Sequence, residues 1–443
     1  MDGLGQRPAP TAAQARIDTL DILRGVAICG ILLMNIPIMG GIPALGGPRL
    51  PAAWNADWIV AGVQTILFEG TMRGLFTLLF GAGMLLMLRR AEGADPRPEP
   101  IDVWTRRCLA LMGLGIVQFA IFLWPGEILW TYGLTGLALL AFRTARIRSL
   151  LIAAAILIVG LTGWYLIQNT EQIATLRASV PAAAAQAAGR DLSEGQEDAL
   201  DAVEEIRKVR HPTAHEIAAE YEQRTHLLPL VGWSTELWAE WNLGTEQWPW
   251  LAESLAFMLV GMALYRSGIL TGQAPTRTYA QLAAIGYGVG LPLRAILFAW
   301  QAQSGFDGPP GSPDAAMIYY EQLIEQPARL LITLGHVGGV ILLVRAGALG
   351  RAWTLRALGR MALTVYSLQS ILTSVLFYGF GTVGRFGFAT LEAIAVAIWI
   401  VTAAFALWWL RHFEIGPAEW LLRAIAYGDR TRPLRKAAAL PAL

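Results

Sequence analysis

Apolar runs of helix length recur ten times along this chain, at 20–40, 68–88, 106–124, 127–143, 148–168, 248–266, 278–300, 328–346, 358–379 and 388–411. A bilayer core takes about 20 residues of α-helix to cross, so the recurrence limits the fold more than any motif does. Composition agrees: 55% of the 443 residues are hydrophobic and 15% are charged, with mean hydropathy +0.47. A soluble globule carries about 25% charge. The expected fold is therefore all-α: a polytopic helical membrane protein with about ten transmembrane helices and one large extracytoplasmic helical loop. The net charge of +1, without a basic and aromatic cluster, gives no reason to expect nucleic acid. Cys29 and Cys108 fall within predicted spans and read as packed apolar residues, neither a disulfide nor a metal pair. Acidic residues at the start of the first span, without a small-residue cleavage signature, make it an uncleaved helix.

The distribution of basic residues orients the spans. With the N-terminus inside, the inner segments hold clusters such as Arg89, Arg90, Arg97, Arg106 and Arg107, then Arg143, Arg146 and Arg148, then Arg345, Arg351, Arg356 and Arg360. The short outer loops hold Arg49 and Arg385. Both termini are thus expected in the cytoplasm, with an even number of spans. The chain divides into a five-helix membrane half (1–168), a hydrophilic extracytoplasmic cap (169–247), a second five-helix half (248–412) and a cytoplasmic amphipathic tail (413–443). The cap ends in a Trp- and Leu-rich stretch expected to touch the membrane or to roof a cavity.

Polar groups inside such spans mark sites, because lipid charges about 2.5–3.5 kcal/mol for a central Arg or Asp on insertion scales. Asp21, Arg24 and Asn35 share one face of the first span, within about 60°, and Asp21 and Arg24 can pair at i,i+3. Glu69 and Arg73 stand four apart and can pair, with Thr77 one turn beyond, and Arg73 precedes FGAG, whose glycines permit close packing. Glu127 opens the fourth span, where a helix dipole favours a carboxylate. Arg329, Thr333 and His336 form one stripe of the eighth span. His336 alone of the five histidines lies in a predicted span, which makes it the candidate acid–base residue, with Glu127 beside it in that role. Tyr366, Gln369, Ser370 and Thr373 share a face of the ninth span. Together with Asp21, Arg24, Asn35, Arg73 and Arg329, the residues Tyr366, Gln369 and Ser370 are the candidate substrate contacts. Glu253 and Arg294 are further intramembrane charges that need partners. Gly286, Gly288 and Gly290 read as helix packing sites. His211 and His215, with Pro212 between them, read as a solvated loop, so no metal site is expected. P-loop, Rossmann and Gly-x-Ser-x-Gly patterns are absent.

Several stretches carry a family resemblance: LDILRGVAICGILLMNI (20–36), RGLFTLLFGAGM (73–84), WPGEILWTYGLTG (124–136), LVGMALYRSGIL (259–270), GRMALTVYSLQSIL (359–372) and FEIGPAEWLLR (413–423). In these the chain resembles the YeiB family, bacterial membrane proteins that carry domain of unknown function 418. That family is similar in turn to transmembrane acyl-CoA-dependent acyltransferases, which share a first helix opening with LD-x-x-RG. The chain departs from the pattern at three places. Phe119, beside Gln118, stands where many members carry a His. Glu127 replaces the usual Asp of the Trp-x-Gly-Asp turn and keeps the carboxylate. Residues 37–53 contain no His, where the acyltransferases commonly place a catalytic one.

The resemblance implies a bacterial inner-membrane enzyme that moves an acyl group onto a membrane or periplasmic acceptor. No bound cofactor is expected, and acyl-CoA is the implied cosubstrate. The alternative is a transporter or exporter of a small amphiphile that uses the same polar seam, and a structural or assembly role is the third. The partners in every case are the lipid bilayer and a small-molecule or lipid substrate.

Overall fold

Long apolar sequence folds here into helix after helix. A computed structural model of the chain describes residues 18–41, 50, 53–89, 99–210, 213–245, 247–303 and 313–428. Arg49, His211, Pro212 and the tail beyond 428 lie outside the described residues. The helices run α1 (Asp18–Gly40), α2 (Ala56–Val63), α3 (Thr71–Arg89), α4 (Pro100–Ala120), α5 (Leu129–Leu139), α6 (Ile147–Ala187), α7 (Glu194–Arg210) and α8 (Ala214–Thr225). They continue with α9 (Leu227–Leu243), α10 (Gln247–Arg266), α11 (Thr276–Gln303), α12 (Pro313–Arg345), α13 (Trp353–Arg360), α14 (Ala362–Ser374), α15 (Phe388–His412) and α16 (Pro417–Tyr427).

Eight helical segments among the described residues are long and apolar enough to cross a membrane: α1, the α2–α3 run, α6, α10, α11, α12, α14 with its extension to Gly379, and α15. The expected spans at 106–124 and 127–143 fall on α4 and α5, and neither meets that standard. Arg106 and Arg107 lower the apolarity of α4, and α5 with its terminal turn is a short helix, Leu129–Phe142. These two pack against each other and form one wall of the site described below.

Burial separates an inner from an outer layer. The apolar windows of α1 and α10 are each 67% buried, whereas those of α6 and α11 are 17% buried and expose Ile152, Ile156 and Ile296 as a lipid-facing belt. α1 sits at the centre, packed on α3, α13, α14 and α15. Helix α3 crosses α10 at a pair of glycines: a Cβ on Gly81 would collide with the Met258 carbonyl, and one on Gly261 with the Leu78 carbonyl. Backbone-to-backbone contact of this kind is how membrane helices gain packing without a hydrophobic driving force. Gly286 and Gly290 likewise meet α12, but Gly288 faces open space and is not a packing site.

The segment from 169 does not begin at a break. α6 is one helix of 41 residues, about 61 Å at 1.5 Å per residue, twice the hydrocarbon thickness. Its far part pairs with α7 through Ile173, Leu176 and Val203. α8 is pinned by Arg224, which is fully buried. Its guanidinium donates to the carbonyls of Gly41 (2.6 Å) and Met39 (2.8 Å) between the rings of Trp233 and Tyr378. A cation there satisfies the orphan carbonyls and negative dipole at the end of α1. α9 buries Leu230, Ser234, Trp238 and Asn242, one residue per turn, against α4 and α5.

Candidate functional site

A cavity of about 290 Å³ lies between α1, α3, α4, α5, α14 and α16, at the end of the bundle where α1 starts and α16 ends. Its rim carries Asp21, Arg24, Arg107, Arg360, Glu419 and Arg423. Its depth is apolar and aromatic: Ile28, Phe76, Leu79, Phe80, Trp104, Leu111, Ile128, Leu129, Tyr132 and Tyr366. Arg24 donates to Asp21 at 3.2 Å. Arg107 makes no hydrogen bond or ion pair among the described residues, although Arg24 and Glu419 are within electrostatic reach. Glu419 belongs to the wall. It accepts from the backbone N–H groups of Leu363 (2.7 Å) and Thr364 (3.1 Å) and from Thr364 Oγ1 (2.6 Å), so it caps α14. Burial pushes the Glu419 carboxyl above its usual range, against the opposing pull of these hydrogen bonds.

The closed end is built by α5 and its approach. Glu127 accepts from the N–H groups of Leu129 (2.6 Å) and Trp130 (3.1 Å), which fixes the start of α5, and from Trp238 Nε1 (3.0 Å) of the cap. With both oxygens so committed, Glu127 is a helix cap tied to α9. Tyr132 shares a hydrogen bond of 2.5 Å with Thr77, whose hydroxyl also donates to the Arg73 carbonyl.

Beyond Tyr132, toward the cap, lies a chain of buried charges. Glu253 accepts from Arg73 (2.8 Å) and Arg329 (2.7 Å). Glu325 accepts from Arg329 (2.9 Å) and from Arg294, which also donates to the Thr65 carbonyl. The Arg73 guanidinium stacks over Trp250. The Glu69–Arg73 pair expected from their spacing does not form. Gly70 adopts a left-handed turn (φ +68°) and α3 starts only at Thr71, so the two side chains do not share a helix face. Arg73 instead finds Glu253 on another helix.

His336 stands on this side as well and does not line the cavity. Its Nε2 lies 3.0 Å from the Leu67 carbonyl and 3.3 Å from Thr71 Oγ1, and its Nδ1 lies 2.9 Å from Tyr287 Oη. Both ring nitrogens are therefore occupied. Among the other expected contacts, Asp21, Arg24 and Tyr366 meet in the cavity, while Arg73 and Arg329 meet in the charge chain. Asn35 is half-buried on α1 away from the cavity. Gln369 is buried one turn beyond Tyr366. The Ser370 hydroxyl is spent on the Tyr366 carbonyl (3.2 Å). Sequence reasoning missed Arg107, Arg360, Arg423, Glu419, Trp124, Trp238 and Arg224 as site or bracing residues. Glu419 and Arg423 lay within a recognisable stretch, but nothing local says that α16 packs on α4 and α14.

Fold and site together define a multi-pass helical membrane protein with a cation-rimmed internal cavity. The chain belongs to the YeiB family. It is 30% identical over 426 residues to the uncharacterized protein YeiB of Escherichia coli, covering 92% of this chain and 95% of that one. To the uncharacterized protein YxaH of Bacillus subtilis it is 29% identical over 434 residues, covering 94% and 96%. Residues 264–429 match the family described as protein of unknown function DUF418, a stretch that holds His336, Tyr366 and Glu419. No solved structure matches the chain.

Proposed function

We propose that the chain is an acyltransferase-like protein of the bacterial inner membrane that takes a phosphorylated acyl donor, of the acyl-CoA type, from the cytoplasm for transfer to a membrane or periplasmic acceptor. The observation that carries this reading is the cavity, with arginines at its mouth and an apolar, aromatic depth. Arg107 is the decisive group. An unpaired guanidinium beside Arg24 is unfavourable in the free protein and becomes favourable when phosphate oxygens bridge the two. The basic clusters at 143–148 and 351–360 flank the same end of the bundle and support a cytoplasmic mouth. The donor is then a cosubstrate, and the protein needs no resident cofactor.

Purified protein incubated with radiolabelled acyl-CoA tests the reading: hydrolysis or transfer is expected, and its loss in Arg107→Gln. A second reading, export of the amphiphile, gains from the position of His336. That imidazole is bonded away from the cavity wall and offers no base to a donor held there. Binding without turnover, together with labelled amphiphile crossing the membrane of proteoliposomes, would select export. Reporter fusions at Arg146 and Arg351 check the orientation common to both readings, and both are expected to score cytoplasmic.

A further inference from the structure

Below its arginines the cavity has a fixed reach. Gly83 on α3 marks the level of the Arg24 guanidinium, since a Cβ built on it would lie 3.8 Å from Arg24 Nη2. From there the lining positions of α3 descend through Phe80 and Leu79 to Phe76. That is two turns of helix, about 10 Å at 1.5 Å per residue. On α1 and α4 the lining ends at Ile28 and Leu111, one turn past Arg24 and Arg107.

The floor is sealed, and the rings around it keep their polar tips for the protein. Tyr132 is 2% exposed, its ring stacks on Phe76 with centroids 6.0 Å apart, and its hydroxyl bonds Thr77 at 2.5 Å. One turn beyond Thr77, the Arg73 guanidinium is paired with Glu253, so a ligand pushed past the floor would have to separate a buried ion pair. Trp104 Nε1 donates to the Gly136 carbonyl at 2.8 Å. Tyr366 Oη has the Trp124 indole and the Ile128 backbone as partners. These three rings therefore offer a ligand carbon surface and no hydrogen bond.

Guanidiniums directly above a short hydrocarbon depth fit a compound in which phosphate and chain are joined directly. An extended chain advances about 1.2 Å per bond, so about eight carbons fill the reach. The cavity volume of about 290 Å³ equals about ten groups of water size, enough for one such chain and not for two. We infer that the cavity accepts a second class of ligand beside the acyl-CoA type: a phosphate monoester of one unbranched chain of about eight carbons. Its phosphate sits on Arg24 and Arg107 and its terminal methyl against Phe76 and Tyr132, which makes Phe76 the residue that sets chain length. In a donor of the acyl-CoA type an arm separates phosphate from acyl group, so the two classes share the mouth and differ in what fills the depth. The inference rests on the reading of the mouth as a phosphate seat.

The test titrates n-alkyl phosphates, from butyl to dodecyl, into the full-length protein in lipid nanodiscs, with empty nanodiscs as the reference. Affinity is expected to rise about fourfold per methylene, to level off near octyl, and to rise no further. Arg107→Gln is expected to weaken every member about tenfold without moving that break. Phe76→Ala is expected to move the break to longer chains, so that decyl phosphate gains about fifteenfold over octyl. Phe76→Trp is expected to move it to shorter ones, which keeps the measurement available if one variant fails to fold. Affinity that climbs unbroken to dodecyl, or a break that neither Phe76 variant moves, would overturn the inference. Absence of alkyl phosphate binding while octanoyl-CoA binds would also overturn it and leave the arginine mouth standing. If neither binds, or if Arg107→Gln changes nothing, the mouth falls and this inference with it.

Discussion

The two ends of the bundle both gather arginines and carboxylates, and they treat them in opposite ways. Toward the cap, Glu253 and Glu325 each bridge two guanidiniums, so that Arg73, Arg329 and Arg294 form one closed chain. At the other end, among the described residues, Arg24 has a single bond to Asp21, Arg107 has none, and both face a cavity. In a low-dielectric interior a closed set of charges holds helices in register, whereas an open set keeps its field available to a ligand. His336 belongs to the closed end by this criterion, despite being the intramembrane residue best suited to titrate.

The largest expected effect breaks the closed end. Glu253→Gln strips the shared counter-charge from two buried arginines, and about 3–5 kcal/mol of stability should go with it. Detergent-solubilised protein would then denature at a much lower temperature or fail to be recovered monodisperse. An unchanged Tm would mean that the charge chain is not what holds α3, α10 and α12 together.

His336→Gln should cost less, about 1–2 kcal/mol, because glutamine can keep part of the bonding to Tyr287, Thr71 and Leu67. Acyl-CoA affinity at the far cavity is expected to stay at the unaltered protein's level. Lost affinity at an unchanged Tm would place His336 in the binding site and dissolve the distinction between the two ends.

A smaller effect concerns Glu419, whose buried carboxyl sits above the usual value of 4.5. The folded state then holds this proton more tightly than the unfolded chain does. Its contribution to stability is full below pH 4.5 and declines as pH rises through the raised folded value. Across a Tm series from pH 4 upward, the unaltered protein should lose stability relative to Glu419→Gln. The opposite slope would mean that the hydrogen bonds from Leu363 and Thr364 outweigh burial and keep the carboxylate ionised.

The smallest expected stability change is at the open end. Arg107→Gln should leave stability unchanged or slightly higher, because it removes a guanidinium that has no partner among the described residues and lies beside Arg24. Its affinity for acyl-CoA should nonetheless fall at least tenfold. A large Tm loss with affinity intact would make Arg107 a scaffold residue and remove the asymmetry on which the proposed function stands.

How far the site could be read in advance depended on the range of each interaction. Asp21 and Arg24 are three apart on one uninterrupted helix, and their pairing follows from spacing. Glu69 and Arg73 looked equally secure, yet one left-handed glycine between them broke the helix on which the argument relied. Tyr366 and Gln369 were recognisable as a polar stripe, but whether a stripe faces a cavity, a neighbouring helix or its own backbone is not written in its periodicity. Ser370, on the same face, turned out to be spent on a carbonyl of α14.

What the sequence by itself determined is whatever depends on local chemistry: apolar runs that become helices, a composition that suits a membrane, and the family written in motifs along most of the chain. What only the tertiary structure decided is which charges are answered. Arg73 meets Glu253 across 180 positions, and Arg107 of α4, Tyr366 of α14 and Glu419 of α16 converge on one cavity from distant parts of the chain. Such encounters are set by where helix backbones can approach, as at Gly81 and Gly261. A close crossing is a property of two surfaces at once, and neither helix carries it alone.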